Sequence, residues 1–351
     1  MKSKEKQTSN RIKLTMLSAA DSVKGQGVGS AYTELMGLLE RFGKDDFEIS
    51  VNRGARKSDV VHTHTIGLGS YLKMKFTHSP TVISVHFTPD MIRRSVRLPK
   101  LFMWIFVKYI LRVYHSADYV HIVNPDLSDA LAEYKFDKEK IRYIPNFVAK
   151  SRFFVMEEAE RDKIRGKYGI KKDDFLCFAS GQTRAGKGVS DFVKVAEMLP
   201  DVRFIWAGGF SFGPMADGYN DTKEMLENLP KNVNFIGVVP REEINGLLNA
   251  ADLFFFPSYE ELFPMSILEA ASTHTPLLLR DLPEYKNILS GHFLVAVNND
   301  EFADWIRKIR EDDELYEKMK QKSREVSLRY SEERIYQIWK EFYTGLSRER
   351  N

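Results

Sequence analysis

Short apolar runs alternate along the chain with longer stretches in which apolar residues recur at helical spacing. The runs are apolar at consecutive positions, which is typical of strands that are covered on both faces. Strands of that kind, separated by helices, form parallel sheets with helices on either side. The pattern therefore predicts an α/β fold with doubly wound parallel sheets. In chain order the runs are RIKLTMLSA, DFEISV, DVVHTHTI, TVISVHF, DYVHIVNP, IRYIPNF, FLCFAS, VRFIWAGG, VNFIGVV, DLFFFPS, TPLLLR and HFLVAV.

The strand pattern is interrupted between Phe147 and Phe175, where the chain becomes charged over the stretch EEAERDKIRGKYGIKKDD. We therefore predict two Rossmann-like domains that meet near residue 150 and face each other across a cleft, where ligands of such folds bind. From Asp300 onwards only helical periodicity is found, and we expect the final helix to return to the first domain. The predicted boundaries are 1–150, 151–330 and 331–351.

Two glutamates, Glu261 and Glu269, lie in the run PSYEELFPMSILEA, where an apolar strand stops and a helix starts. A helix N-terminus concentrates unpaired N–H groups and partial positive charge, so this turn is suited to holding a diphosphate without a metal. Upstream, GQTRAGKG ends another apolar run and supplies Lys187, a fixed positive charge for a leaving phosphate. The turn itself is formed by Phe263, Pro264, Met265 and Ser266.

The segment SYEELFPMSILEA resembles the E-x7-E motif of the retaining glycosyltransferases of family 4, which have the GT-B fold. The segment GQTRAGKG resembles their Gly-Arg to Lys-Gly loop, and the match continues through IPNFV, WAGG and FIGVVPREEINGLLNAADLFFFPS. The resemblance implies that Glu269 holds the ribose hydroxyls, Glu261 faces the donor hexose and Lys187 binds the diphosphate. It also implies a UDP-hexose donor, with neither a metal nor a cofactor.

Two departures from the family pattern concern the same pocket. Where the family usually has Gly-Phe-Gly after the first glutamate, this chain has Leu262, Phe263 and Pro264, so the backbone there is less free to turn. The family arginine position is Gln182, and Arg184 lies two residues further on. Either residue is a candidate to replace that arginine, and Arg184 is included among the donor-binding residues.

A second glycine-rich stretch, SAADSVKGQGVGSAYTEL, follows the first apolar run and opens a helix. Its glycines let the backbone approach a ligand closely, and the family resemblance assigns Gly27 and Gly29 to the donor site. A nicotinamide oxidoreductase is the alternative for two doubly wound domains. The third glycine of its G-x-G-x-x-G fingerprint would fall at Ser30, so the fingerprint fails.

Three histidines, His62, His64 and His86, lie at predicted strand ends. No cysteine or carboxylate accompanies them at metal-ligand spacing, so we expect no zinc site. The family resemblance implies that His86 contacts the donor sugar near the reaction centre. We expect His62 and His64 to shape the sheet edge.

The segment from Met91 to Ser116 contains six Lys or Arg residues, no acidic residue, and several bulky apolar side chains. Basic side chains meet anionic head groups and aromatic rings enter the interface, so this segment is suited to a bilayer surface. The alternative is an internal helix with a basic rim, and the apolar part from Leu101 to Leu111 must be partly core. The predicted membrane-facing residues are Arg93, Arg94, Arg97 and Lys100.

Composition adds three limits. The net charge of +3 disfavours a nucleic-acid partner. The single cysteine, Cys177, fits a reducing cytosol. The first residues, MKSKEKQTSN, do not resemble a signal peptide, and no apolar window reaches the roughly 20 residues of a spanning helix. We therefore expect a cytoplasmic protein, peripheral on the inner face of the membrane.

The whole chain looks most like the bacterial enzymes that add a second hexose to monoglucosyl-diacylglycerol, on LTMLSAADSVKGQGVGSAYTEL, HFTPD, YIPNF and ELFPMSILEA. That resemblance implies a UDP-glucose donor, α-monoglucosyl-diacylglycerol as acceptor, and a diglucosyl lipid that anchors lipoteichoic acid. UDP-galactose as donor and a polysaccharide as acceptor stay open. A binding module without catalysis is a more distant alternative.

Overall fold

The computed structural model describes residues 11–18, 27–95, 98–210, 219–261, 263 and 265–349. Its first half forms a six-stranded parallel sheet with the order β2-β1-β3-β4-β5-β6. The strands are β1 (Ile12–Leu17), β2 (Phe47–Val51), β3 (Val60–Thr63), β4 (Thr81–Val85), β5 (Tyr119–Ile122) and β6 (Ile141–Tyr143).

The second half forms another six-stranded parallel sheet, with the order β12-β11-β10-β7-β8-β9. In both sheets the order reverses direction beside the first strand, which is the doubly wound arrangement. Each apolar run singled out in the sequence contains one of these strands, so the predicted fold class is confirmed. The strands are β7 (Leu176–Ser180), β8 (Arg203–Ala207), β9 (Val233–Phe235), β10 (Leu253–Phe256), β11 (Leu277–Arg280) and β12 (Leu294–Ala296).

Helices cover both sheets. In the first half they are α1 (Gly27–Phe42), α2 (Leu68–Lys75), α3 (Pro89–Ser95), α4 (Lys100–Tyr114) and α5 (Leu127–Ala132). In the second half they are α6 (Glu158–Lys167), α7 (Val189–Glu197), α8 (Tyr219–Glu227), α9 (Arg241–Ala250), α10 (Met265–Ser272) and α11 (Pro283–Leu289). Three helices follow the last strand: α12 (Asn299–Glu311), α13 (Asp313–Arg329) and α14 (Glu332–Glu349).

The final helices connect the two sheets. Helix α13 contacts α10 in the second half, whereas α14 contacts α1, β1 and β3 in the first. Side chains of α14 also reach the first half through polar contacts, because Tyr336 donates to Asp46 and Glu332 pairs with Arg41. Helix α14 therefore packs on the sheet that contains β1. The domain boundaries at residues 150 and 330 stay predictions.

A chain of buried hydrogen bonds joins α14 to the middle of the first sheet. The His121 Nε2–H must donate to the Ile144 carbonyl at 2.8 Å, because a carbonyl oxygen only accepts. His121 Nδ1 then accepts from the Ser84 hydroxyl at 2.8 Å, and Ser84 Oγ accepts from His62 Nε2–H at 2.8 Å. His62 Nδ1 finally accepts from the Tyr343 hydroxyl at 2.7 Å. In this arrangement both rings are neutral, because the Nδ1 atom of each accepts a hydrogen bond.

Burial also favours the neutral form of the His62 and His121 rings. Desolvation is the largest cause that lowers the pKa of His62 well below its usual value, and it lowers the pKa of His121 to about 4. The folded state therefore resists protonation that the unfolded chain accepts. Because the unfolded chain then binds more protons, stability falls as the pH falls below the unfolded pKa.

We expect the first half to lose stability between about pH 6.5 and about pH 4, by about 1.4 kcal/mol per pH unit for each such ring. His121→Gln should make this dependence shallower, since one depressed pKa is removed. Denaturant unfolding across the pH range, with hydrogen exchange to localise the change, would measure it. His78→Gln, at an exposed position, is the control. An equal slope in wild type and His121→Gln would contradict the explanation.

Candidate active site

Strand pairing brings two distant loops together in the second half. Strands β7 and β10 are neighbours in the sheet, so the loops at their carboxyl ends are adjacent. Lys187 lies in a short 3-10 turn after β7, and Glu261 lies after β10. The Lys187 ammonium pairs with the Glu261 carboxylate, and both side chains are mostly buried. Two residues predicted to share a pocket are therefore in direct contact.

The loop that carries Lys187 depends on one glycine. Gly188 has a φ of 72°, in the left-handed region that favours glycine. A Cβ at this position would also lie 2.2 Å from the Pro257 carbonyl oxygen, which no side chain tolerates. Gly188 thus allows the β7 loop to rest against the β10 loop, and this close approach sets the position of Lys187.

Arg184 has a partner in the same pair of loops. Its guanidinium donates to a Glu260 carboxylate oxygen at 2.6 Å, and Tyr259 N–H donates to the Gly186 carbonyl at 3.0 Å. Arg184 is therefore held beside Lys187, at the end of the same sheet. Gln182, the other candidate for the family arginine position, is partly buried at the end of β7.

The second predicted glutamate, Glu269, lies within α10 and is almost fully buried. Burial raises its pKa, while the charge of Arg241, the first residue of α9, opposes that rise. The guanidinium of Arg241 donates to Glu269 and lies 3.6 Å from a carboxylate oxygen of Glu34. One cation is therefore shared by a carboxylate from each half of the chain.

Glu34, on α1, is a hub between the two halves. It is 2% exposed, and it accepts hydrogen bonds from Arg152 at 3.1 Å and from the Ala149 N–H at 3.3 Å. Ala149 and Arg152 belong to the segment that leads from the first sheet to the second. We call the contacts among Glu34, Arg152, Arg241 and Glu269 the junction cluster. Glu34 and Arg241 are not among the site residues predicted from the sequence.

His86, the predicted first-half residue, follows β4 and shares a small cavity with His64, His121 and Glu34. Desolvation lowers the pKa of His86 to about 3, so its ring is neutral near neutral pH. Its Nε2 is buried and makes no hydrogen bond with the described residues. A neutral ring of this kind can exchange a hydrogen bond with a hydroxyl but supplies no charge to a phosphate.

The turn between Glu261 and α10 also touches the first half. The Asn146 amide donates to the Phe263 carbonyl at 3.3 Å, and the Phe263 ring packs edge-on against Tyr330, the residue that follows α13. Met265 and Ser266 are the first two residues of α10.

Some predicted positions are only partly described. Gly27 and Gly29 lie in the first turn of α1. Pro264 and Arg97 lie outside the described residues, and of Arg94 only the backbone, in α3, is described.

The arrangement has a defined chemical character. It offers two buried carboxylates, which accept hydrogen bonds from hydroxyl groups, together with a lysine and a helix N-terminus, which stabilise an anion. A ligand that combines several hydroxyls with a negatively charged group matches both features. Among the described residues, no group of three His, Cys, Asp or Glu side chains is placed to hold a metal ion.

The chain matches two known family models and is similar in sequence to characterised proteins. Residues 160–326 match the family described as Glycosyl transferases group 1, and residues 47–152 match Glycosyltransferase Family 4. The alpha-galactosylglucosyldiacylglycerol synthase of Streptococcus pneumoniae is 39% identical to this chain over 335 residues, which cover 95% of this chain and 89% of the relative. The chain belongs to glycosyltransferase family 4. The family predicted from the two motifs is thereby confirmed.

Two further relatives have names that describe glycosyl transfer to, or synthesis of, diacylglycerol lipids. The processive diacylglycerol alpha-glucosyltransferase of Acholeplasma laidlawii is 27% identical over 86% of this chain and 90% of its own length. The alpha-monoglucosyldiacylglycerol synthase of S. pneumoniae is 26% identical over 68% of this chain and 55% of its own length.

Solved structures show the GT-B fold of this glycosyltransferase. HepE of Anabaena in complex with UDP and glucose has a TM-score of 0.76, at 16% identity, over 95% of this chain and all of its own. The sucrose-phosphate synthase of Thermosynechococcus elongatus has a TM-score of 0.78, at 15% identity, over 96% of this chain and 99% of its own. At these identities the likeness concerns the fold alone.

The junction cluster generates a prediction. In Arg241→Met, two buried carboxylates lose their shared cation, so the pKa of Glu269 should rise further. A carboxyl group whose folded pKa is raised stabilises the fold fully below its unfolded pKa and loses that contribution as the pH rises. We therefore expect the variant to lose about 2 kcal/mol at about pH 8 and less at about pH 5.

Denaturant unfolding at the two pH values measures this loss. Arg241→Lys, which keeps the positive charge, is the control and should recover most of the stability at about pH 8. A loss in Arg241→Met that does not change with pH would mean that the guanidinium contributes packing only.

Proposed function

We propose that this glycosyltransferase transfers a hexose from a UDP-hexose to monoglucosyl-diacylglycerol, with retention of the anomeric configuration, at the cytoplasmic face of the membrane. The observation that carries the proposal is the 39% identity to the alpha-galactosylglucosyldiacylglycerol synthase over 95% of the chain. The other two diacylglycerol glycosyltransferases support a lipid acceptor over a polysaccharide.

The donor sugar is proposed to be galactose. The resemblance seen in the sequence implies UDP-glucose and leaves UDP-galactose open, whereas the name of the 39% identical relative favours UDP-galactose. The two sugars differ in the orientation of one hydroxyl group. A donor assay with both sugars therefore decides the product, which is a galactosyl-glucosyl lipid or a diglucosyl lipid.

In the proposed complex, donor binding replaces an ion pair between side chains of the second half. Lys187, Arg184 and Arg241 each pair with a carboxylate in the structure. In the proposed complex the diphosphate binds to the Lys187 ammonium and to the N-terminus of α10. Glu261 then loses its ion pair with Lys187 and accepts hydrogen bonds from hydroxyl groups of the hexose. Glu269, held by Arg241, accepts the ribose hydroxyls.

The reaction then needs no metal in this proposal. The bond between the anomeric carbon and the diphosphate oxygen breaks, and the electron pair leaves with the diphosphate. The acceptor hydroxyl oxygen bonds to the anomeric carbon from the same side, and its proton passes to the departing phosphate oxygen. Lys187 and the helix N-terminus stabilise the charge that develops on that oxygen. His86, as a neutral ring, orients a hydroxyl of the donor sugar.

Helix α4 is the proposed membrane contact. Its second half is core, since Val107, Ile110 and Val113 are buried. Its first half is exposed: Leu101 is 64%, Phe102 62%, Trp104 60% and Ile105 50% accessible. A group of large exposed apolar side chains marks an interaction surface, and the basic residues beside them suit anionic lipids.

The basic residues predicted to face the membrane differ in their surroundings. Lys100 is the first residue of α4, is exposed, and lies directly beside the apolar group. Arg93 is half-exposed, but it forms an ion pair with Asp90 and donates a hydrogen bond to the Tyr134 hydroxyl. We therefore propose that α4, rather than α3, provides the main contact. None of the helices in the described ranges is long and apolar enough to span a bilayer.

Transfer of labelled hexose tests the proposed function. The protein is incubated with UDP-galactose or UDP-glucose and with liposomes of anionic lipid that contain monoglucosyl-diacylglycerol, in the presence of EDTA. We expect a dihexosyl lipid from one donor, and NMR of the product should show an α linkage. Glu261→Gln should lower kcat by roughly 100-fold, and Glu269→Gln should weaken UDP binding about tenfold.

Glu242→Gln is the matched control, because Glu242 is exposed on α9 next to Arg241. A product that forms equally in wild type and Glu261→Gln would refute the assigned site. No product from either donor, with UDP binding intact, would refute the glycolipid acceptor.

The membrane contact has its own test. In Leu101→Ser/Trp104→Ser we expect binding to anionic vesicles to weaken about 100-fold, because each large apolar side chain contributes about 1.5 kcal/mol or more on burial. UDP binding in solution should not change. The control is Leu328→Ser, since Leu328 is 56% exposed on α13. Vesicle sedimentation measures the binding, and an equal loss in both variants would contradict a contact specific to α4.

A further inference from the structure

A groove lies beside α2, on the surface of the first half and apart from the site described above. It is formed by the segment between β2 and β3 and by the last turn of α2, and its volume is about 460 Å³. We call it the α2 groove. Its lining residues are Arg53, Gly54, Ala55, Arg56, Lys57, Leu72, Lys73 and Phe76.

One side of the α2 groove is apolar. Leu68, Leu72 and Phe76 are four residues apart and therefore lie along one side of the helix. All three are exposed, at 61%, 42% and 59%, whereas Tyr71 and Met74 on the other side are buried. Isolated exposed leucines need no explanation, but a continuous stripe beside a groove indicates a surface that is covered in use.

The other side of the groove is cationic. Arg53, Arg56, Lys57 and Lys73 are all exposed, and none forms an ion pair with a carboxylate of the described residues. No acidic residue lines the groove. The positive charge is therefore available to a ligand, in contrast to Arg184, Lys187 and Arg241, which are each paired with a carboxylate.

Hydrogen bonds fix the position of the segment that forms the cationic side of the groove. The Thr77 hydroxyl, just beyond α2, donates to the Ala55 carbonyl at 2.7 Å. The Lys73 ammonium donates to the Asn52 carbonyl at 2.9 Å, and Ser58 Oγ donates to the Gly54 carbonyl at 3.1 Å. These bonds fix the segment that carries the arginines against the helix that carries the apolar stripe.

The geometry points to one ligand: we propose that the α2 groove binds a single anionic phospholipid, with its phosphate among the basic side chains and an acyl chain along Leu72 and Phe76. An apolar wall beside unpaired cations matches an anionic amphiphile and fits neither a neutral glycolipid nor a purely polar anion. A pocket of this volume suits a small-molecule ligand. The inference rests on the proposed membrane-bound function, and it adds a lipid other than the acceptor.

Helix α2, which carries the apolar side of the groove, packs against α4, the proposed membrane contact. Helix α2 and the loop before it contact α4, because the Tyr109 hydroxyl donates to the Ile66 carbonyl at 2.6 Å and Arg112 Nε donates to the Tyr71 hydroxyl at 3.3 Å. Helix α2 therefore packs beside the second half of α4, on the same face of the first sheet.

Calorimetry with soluble lipids tests the proposal on the full-length protein. Dihexanoyl-phosphatidylglycerol, below its micelle concentration, should bind, and dihexanoyl-phosphatidylcholine should bind at least about tenfold more weakly. Arg56→Gln/Lys57→Gln should weaken binding of the anionic lipid by about fivefold for each charge removed. Leu72→Ser/Phe76→Ser should weaken it by a similar factor for each side chain.

The control is Lys171→Gln/Lys172→Gln, which removes two exposed charges from the second half and should leave binding unchanged. All four mutated groove side chains are exposed, so the variants should fold, and near-UV circular dichroism verifies this. Each variant is also assayed for UDP binding, which should stay at the wild-type value.

Three results would overturn the proposal. Inorganic phosphate that binds as tightly as the lipid would make the groove a simple anion site. Equal losses in the groove variants and the Lys171→Gln/Lys172→Gln control would indicate a diffuse charge effect. Undiminished binding in both groove variants would place the lipid elsewhere. Failure of the proposed function is a separate result, since hexose transfer would then be absent while lipid binding at the groove persists.

Discussion

The junction cluster is the constraint on which the rest of the molecule depends. Glu34 and Glu269 are buried carboxylates from opposite halves of the chain, and both lie beside the Arg241 guanidinium. A buried charge that loses its partner costs several kcal/mol, so this arrangement is stable only while α1, α9 and α10 stay together. Because Glu34 also binds Ala149 and Arg152, the connection between the halves is fixed at the same point.

The two sheets explain why such a cluster forms at all. In a parallel sheet every strand delivers its following loop to the same edge, so residues far apart in sequence meet there. Lys187 and Glu261 meet because β7 and β10 are neighbours, and Gly188 removes the last steric barrier between their loops. In the first sheet His86 follows β4 and shares a cavity with Glu34. The site is thus a product of strand order rather than of local sequence.

The strands were predictable because a strand covered on both faces leaves a continuous apolar run, as in Leu253–Phe256. Their two motifs placed Lys187 and Glu261 in one donor site, but the ion pair between them was not predicted. Arg241 and Glu34 were not predictable, because Arg241 belongs to an ordinary charged stretch, Glu34 is a single acidic residue on a helix, and each acquires its role only through the approach of the other half. The only signal was the position of Arg241 at the start of a helix in PREEI.

The division of α4 into a buried half and an exposed half was not predictable for a similar reason. The run from Leu101 to Leu111 is apolar nearly all round, and a single sequence does not show where along such a helix the core ends. In the structure the first half of this helix is exposed and the second half is buried. Basic residues can be identified directly from a sequence. The exposure of Trp104 or Phe102 depends instead on whether other elements of the fold pack against them.

The pairing of Lys187 with Glu261 has a consequence for the order of events in the proposed reaction. A free Lys187 would attract any anion, and a free Glu261 would be a buried charge without compensation. Paired, they leave the fold stable, and neither group is fully available alone. A diphosphate that takes the lysine exposes the carboxylate to the sugar attached to the same diphosphate. Phosphate recognition and sugar recognition are then coupled through one ion pair, which favours a ligand that carries both groups over one that carries either.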